Sequence, residues 1–152
     1  MELELQEPEG GLTPHLAIGG GKAKDAINFY TKAFGATEVM RHAADDGRLM
    51  HAHLKVNGAS LMLHDHFPEH HGWRDLADPT GVMIHLQVQE PDAWWNRALD
   101  AGATVVLELA DQFWGDRYGQ IRDPFGHGIG AAGRPRGLLR LAFNGRKPRF
   151  DG

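Results

Sequence analysis

The sequence predicts an α+β fold built from two paired βαβββ modules, and three observations carry that expectation. The order strand–helix–strand–strand–strand runs over residues 13–66 and again over 81–132. Ala33-Phe34-Gly35-Ala36-Thr37 matches Asp100-Ala101-Gly102-Ala103-Thr104, each at the end of a helix and the start of the next strand. A glycine turn precedes the last strand of each copy, at Gly58 and Gly126. One such unit cannot bury both sides of its sheet. Its helix covers one face, and the other must curl around the second copy, another subunit or a ligand.

Residues 1–12 read as a flexible leader. A short strand over 13–19 puts Leu16 and Ile18 on one face and His15 and Ala17 on the other. Glycines 19–21 break it. Over 22–34, Ala23, Ala26, Ile27, Tyr30, Ala33 and Phe34 make a helical stripe, and Gly35 stands where a helix ends in a left-handed residue. A strand over 37–42 leads to the Asp45-Asp46-Gly47 turn. Over 49–56, Met50, Ala52, Leu54 and Val56 alternate with His51, His53 and Lys55. Asn57-Gly58 is a hairpin turn, and 59–66 runs back with Leu61 and Leu63 opposite Met62 and His64. The polar stretch 67–80, with His70, His71 and Trp73, is a long loop linking the modules.

The second module starts at 81. Its first strand sets Val82, Ile84, Leu86 and Val88 against Met83, His85 and Gln87. Pro91 suits a first helical turn. The helix continues to Ala101 with Trp94, Ala98 and Ala101 on its buried face and Trp95 partly exposed, and Gly102 stops it. A strand follows over 103–109. The stretch FWGDRYGQIRDPFGH, 113–127, then reads as strand, tight turn at Asp123-Pro124-Phe125-Gly126, and the start of the last strand, which runs to 132. The tail over 133–152 is basic. It also carries Leu138, Leu139, Leu141 and Phe143, which suit draping over a second subunit; attraction to an acidic partner is the other reading.

A balance of 16 basic and 20 acidic residues gives no general pull toward nucleic acid or membrane. The chain has no cysteine, which excludes disulfides and thiolate zinc sites. No run approaches the ~20 apolar residues that span a bilayer, and the acidic start lacks the apolar core of a signal peptide. A cytoplasmic protein is expected. The outlier is histidine, with ten residues. On each strand the aliphatic face is the one a helix would cover, so His15, His51, His53, His64 and His85 fall on the opposite, uncovered face. That face is either a wet polar surface of mutually bonded imidazoles or a place where some of them ligate a metal or handle protons.

The paired modules, the helix AINFYTKAFGA and the segment GDRYGQIRDPFGH together resemble the glyoxalase/bleomycin-resistance superfamily, also called vicinal oxygen chelate. LMLHD after Asn57-Gly58, with FWGDRYG and DPFGH, is similar to its PhnB-like branch. The resemblance covers about residues 13–132. It implies eight strands forming an open cup, frequently completed by a homodimer. Some members bind a divalent cation in the cup, with ligands from the first and last strands of each module; others have no metal and bind a drug. Carried onto this chain, the first ligand position falls on His15. The position four residues after the first turn glycine, where the resemblance implies a carboxylate or similar ligand, is Met62, with His64 one step on along the same face. In the second module the positions fall on Met83, with His85 one step on, and on Gly130, where the resemblance implies glutamate. Neither implied carboxylate is present.

The expected function is therefore a small-molecule-binding protein that sequesters a ligand in the cup without a strongly held metal. The alternative is a glyoxalase-like lyase or isomerase, or a dioxygenase, with zinc, nickel, manganese or iron held by His15, His64 and His85 and water in an open position. A purely structural or regulatory dimer is a third reading. The expected pocket wall comprises His53, Met62, Trp73, Met83, Trp114, Arg117 and Tyr118. Indole and phenol faces stack on flat ligands, and arginine offers a planar fork to carboxylate or phosphate. For Arg117 a pairing with Asp116 or Asp123 that fixes the turn is an equal alternative, and Trp114 could serve only to plug the end of the cup.

Overall fold

The computed structural model describes residues 7–134. Residues 1–6 and 135–152, with the expected drape of the tail, lie outside them. The chain forms β1 (His15–Ile18), α1 (Ala23–Phe34), β2 (Thr37–Ala43), β3 (Leu49–Val56) and β4 (Ala59–Asp65), then β5 (Met83–Val88), α2 (Pro91–Asp100), β6 (Thr104–Asp111), β7 (Arg117–Arg122) and β8 (Gly128–Gly133). Two four-stranded sheets result, ordered β1-β4-β3-β2 and β5-β8-β7-β6. In each, the first and last strands of the module run parallel at one edge and the other pairs are antiparallel. This is the α+β fold of two paired βαβββ modules, with the sheets left open as a cup.

Each helix covers the aliphatic face of its own sheet. Leu16, Ile18, Ala52, Leu54, Leu61 and Leu63 are buried against α1 residues Ala23, Ala26, Ile27, Tyr30 and Phe34. Gly35 takes the left-handed conformation and caps α1 through the carbonyls of Thr31 and Tyr30. The other end is held by Asp65, whose buried carboxylate accepts from the Ala23 and Leu49 amides at 2.9 and 2.6 Å. One carboxylate thus serves the first turn of α1 and the start of β3.

Strand alternation fails at one place in β3. Met50 is 55% exposed, while Leu49 is fully buried. A bulge pairs His42 with His51 and Ala43 with Leu49, leaving Met50 as the extra residue. The parity therefore flips there. In α2 the buried stripe is Pro91, Trp95 and Ala98 rather than one through Trp94. Trp95 packs beneath Gly119, and Trp94 turns sideways to stack on Phe34 of α1 at 6.1 Å.

The modules meet through their helices and turns. Arg97 of α2 donates to the Lys32 and Thr31 carbonyls at the C-terminal end of α1. Tyr30 donates to Asp123 at 2.7 Å, and Phe29 lies edge-on to Phe125. At the other side the Asn57 amide donates to the Gln87 carbonyl of β5 at 3.0 Å. The loop between modules is tied down by Arg48, which bonds Glu69 and lies 4.2 Å over the Phe67 ring.

Candidate functional site

The open face of the first sheet carries a cross-strand row, Met40, His53, Met62 and His15, set by the register of β2, β3, β4 and β1. His64 lies one step further along β4. Its Nδ1 faces His15 Nε2 at 2.8 Å, and His51 adds a ring edge-on to His15 with centroids 5.6 Å apart. His51 Nε2 in turn meets the Glu7 carboxylate at 3.2 Å. Burial, then the neighbouring His64 and His51, lowers the His15 pKa against the pull of Glu7. Burial and His51 likewise lower that of His64, opposed by Asp65. With both rings neutral, one ring N–H donates into the lone pair of the other. His53 is buried, with Nε2 at 2.8 Å from Ser60 Oγ.

The second sheet presents a different surface. Register aligns His85, Gly130 and Gln120 in one row and Gln87, Ala132 and Tyr118 in the next. Tyr118 leans across to Gly130. A Cβ at that glycine would lie 2.9 Å from the Tyr118 hydroxyl and 3.1 Å from Met83 Sδ, closer than side chains pack. The hydroxyl accepts from Gln120 Nε2 at 3.0 Å and points its own hydrogen at Met83 Sδ, 3.6 Å away. The His85 ring lies nearly parallel to Tyr118 at 6.4 Å, and Trp114 flanks Tyr118 at 6.0 Å. The place where the resemblance implied a glutamate is thus filled by a phenol and a thioether.

The remaining residues fall elsewhere. Arg117 alternates to the opposite face from Tyr118 and donates to Asp92 and Asp111, which ties β6 and β7 to the first turn of α2. Neither Asp116 nor Asp123 is its partner. Asp123 instead accepts from Tyr30, from the Phe125 and His127 amides, and pairs with the His127 ring. Trp73 sits on the loop between modules, 79% exposed and with a positive φ of 61°. The structure therefore groups Met83, Trp114 and Tyr118 with His85 on one sheet, and His53 and Met62 with His15 and His64 on the other. His51 joins the histidine group on the face that alternation from His53 gives it, and the bulge displaces only Met50 and Leu49.

A metal needs several donors converging on one point. Here His15 and His64 spend facing nitrogens on each other, and His85 bonds Gln87 on the other sheet at 2.9 Å. Among the described residues no three histidine, aspartate or glutamate side chains converge as a metal site. The described donors within one chain do not fit a metal.

The geometry has counterparts in known proteins. The family model described as Glyoxalase/Bleomycin resistance protein/Dioxygenase superfamily matches residues 13–130. Uncharacterized protein Mb0911c of Mycobacterium bovis is 49% identical over 123 residues, covering 78% of this chain and 80% of that protein. A PhnB protein from Bacillus cereus, described as a putative 3-demethylubiquinone-9 3-methyltransferase, shares the fold with a TM-score of 0.63 at 21% identity, covering 80% of this chain and 98% of that one. FosX, a fosfomycin resistance protein from Listeria monocytogenes complexed with Mn(II) and sulfate, shares it with a TM-score of 0.61 at 15% identity, covering 86% and 96%. The repeated module, the open sheets and the match across most of its length place this chain in the glyoxalase/bleomycin resistance/dioxygenase superfamily.

Proposed function

We propose that this protein binds and sequesters a small, partly planar ligand on the open face of its sheets, without a strongly held metal. The observation that carries this reading is the Tyr118 phenol lying over Gly130, next to Met83, His85 and Trp114. It replaces a charged donor by polarizable and aromatic groups. Trp114 and Met83 are half exposed and Tyr118 is accessible beside them, so a flat ligand can stack there. Trp73 and Arg117 belong to the pocket wall only if a ligand draws them in, and His53 and Met62 would form the facing wall. A homodimer is part of the reading, because Val105, Val106, Leu107 and Phe113 leave the second sheet with an exposed apolar margin that a second copy would cover. So are a cytoplasmic setting and a small molecule, rather than nucleic acid or membrane, as partner. The net charge of −4 favours no polyanion, and no helix among the described residues is long and apolar enough to cross a membrane.

The test is a titration of Trp fluorescence with bleomycin and a panel of flat aromatic compounds, repeated on Tyr118→Ala and Trp114→Ala. A ligand whose affinity falls at least roughly tenfold in both variants supports the reading. Affinity untouched by either removes this face from the site. A second reading, a metal-dependent lyase, isomerase or dioxygenase, draws on the His15–His64–His51 group and the Mn(II) complex of FosX. Elemental analysis of untagged protein separates the two. Stoichiometric zinc, nickel, manganese or iron that disappears in His15→Ala would favour the enzyme.

A further inference from the structure

A cavity of about 530 Å³ opens at the seam between the modules, and of the described residues given above to the open-face site His85 alone lines it. Its size falls within the ~300–1,000 Å³ of small-molecule sites. Residues 9–14, the β3–β4 hairpin and β5 form its sides, and α1 and β8 close it from below. The floor is core. Tyr30 and Phe34 of α1 meet Leu61, Leu86 and Ile129 there, all of them buried. The polar side, with Thr13, Lys55, Asn57, Ser60 and Gln87, has one lysine and no arginine among the described residues. Among the described residues the Lys55 ammonium has a single hydrogen bond, to Ser60 Oγ at 3.1 Å, and no ion pair. Among the described residues of the wall Glu9 on the leader is the one carboxylate. Above the apolar floor Leu12 stands 101% exposed, following Gly10 and a Gly11 at φ 77°.

We propose that this cavity is a second ligand site, for an amphipathic monocarboxylate whose alkyl or aryl body lies on Tyr30, Phe34 and Ile129, whose carboxylate meets Lys55 and Ser60, and over which Leu12 folds. The apolar floor needs an apolar body, since a polar one would lose its water without replacement. One ammonium opposite one carboxylate fits a single negative charge and disfavours a dianion. Leu12 gains apolar contact only once the floor is filled. The site is independent of the proposal for the open sheet face: the two meet only along β5, where His85 lines the cavity and also stacks on Tyr118.

Isothermal titration with decanoate tests it on the full chain. Wild type should bind saturably. Lys55→Met, which keeps the stem but not the charge, should weaken binding about tenfold. Ala59→Trp, a bulky change at an exposed hairpin residue on the wall, should abolish it. Leu12→Gly should weaken it without disturbing the fold, and Tyr118→Ala should leave it unchanged. Absence of saturable binding to wild type overturns the proposal. So does binding that survives Ala59→Trp in a protein with native circular dichroism, or that is lost in Tyr118→Ala.

Discussion

Replacing Asp123 gives the most decisive test of how the two modules are held as one body. Its buried carboxylate takes the Tyr30 hydroxyl of the first module at 2.7 Å and, within the second, the Phe125 and His127 amides at 2.9 and 2.8 Å and the His127 ring at 3.2 Å. In Asp123→Ala the buried Tyr30 hydroxyl and two turn amides lose their acceptor. Each orphaned group costs about 1–3 kcal/mol, and partial access of water to the turn brings the sum to roughly 3–5 kcal/mol. Asp123→Asn keeps one oxygen for both amides and lets the Tyr30 hydroxyl rotate to accept, so about 1–2 kcal/mol is expected. Urea unfolding at neutral pH, followed by Trp fluorescence, measures both. A cycle with Tyr30→Phe should show a coupling of about 1–2 kcal/mol. The acid limb adds a second readout. Burial works against the Asp123 charge, but the bonds from His127 and Tyr30 outweigh it and hold the pKa below its ordinary 3.8. Its stabilisation is thus present above pH 3.8 and is lost as pH falls through the lower folded value. The gap between wild type and Asp123→Asn should close in that range. Variants as stable as wild type, or strictly additive effects of Tyr30→Phe and Asp123→Asn, would refute the reasoning.

Three further outcomes are expected. Gly119→Ala should lose about 1–3 kcal/mol by overpacking, because its Cβ would lie 2.7 Å from the Trp95 ring and 2.9 Å from the Leu109 backbone, whereas Gly128→Ala, with 3.9 Å to Met83, should be near neutral in the same melt. In NMR titrations the His15 and His64 rings should protonate below the ordinary 6.5, and since a lowered folded pKa adds stability above 6.5 that is lost on acidification, His64→Gln should flatten the stability profile just below that pH. Arg48→Ala, which removes the bonds to Glu69 and Asp46 and the contact with Phe67, should open the 67–80 loop to limited proteolysis, and an unchanged cleavage rate would show that Arg48 does not hold it.

Much of the fold was legible because period and punctuation are local. The stripe from Ala23 to Phe34, the stop at Gly35 and the Asn57-Gly58 hairpin are each written within a few residues. The open-face position of His15 and His64 follows from alternation alone. What escaped depends on contacts between distant segments or on register. Trp95 rather than Trp94 faces the sheet because a glycine on β7 makes room for its ring. Arg117 finds Asp92, distant in sequence, and Asp111 on the paired strand, instead of Asp116 or Asp123. Met50 leaves the covered face through a bulge, and a bulge is a matter of how two strands pair. The cavity at the seam has no signature, since its described walls come from stretches far apart in the sequence.

The embrace of Gly130 by Tyr118 also constrains the routes by which this chain could change its chemistry. A mutation that installs an acidic side chain at residue 130 lands on an occupied spot, 2.9 Å from a phenol oxygen. Trimming residue 118 first vacates the spot but takes apart the stacked surface before anything replaces it. Each single step is a loss, so an ancestor or descendant with a carboxylate there should differ at both positions together.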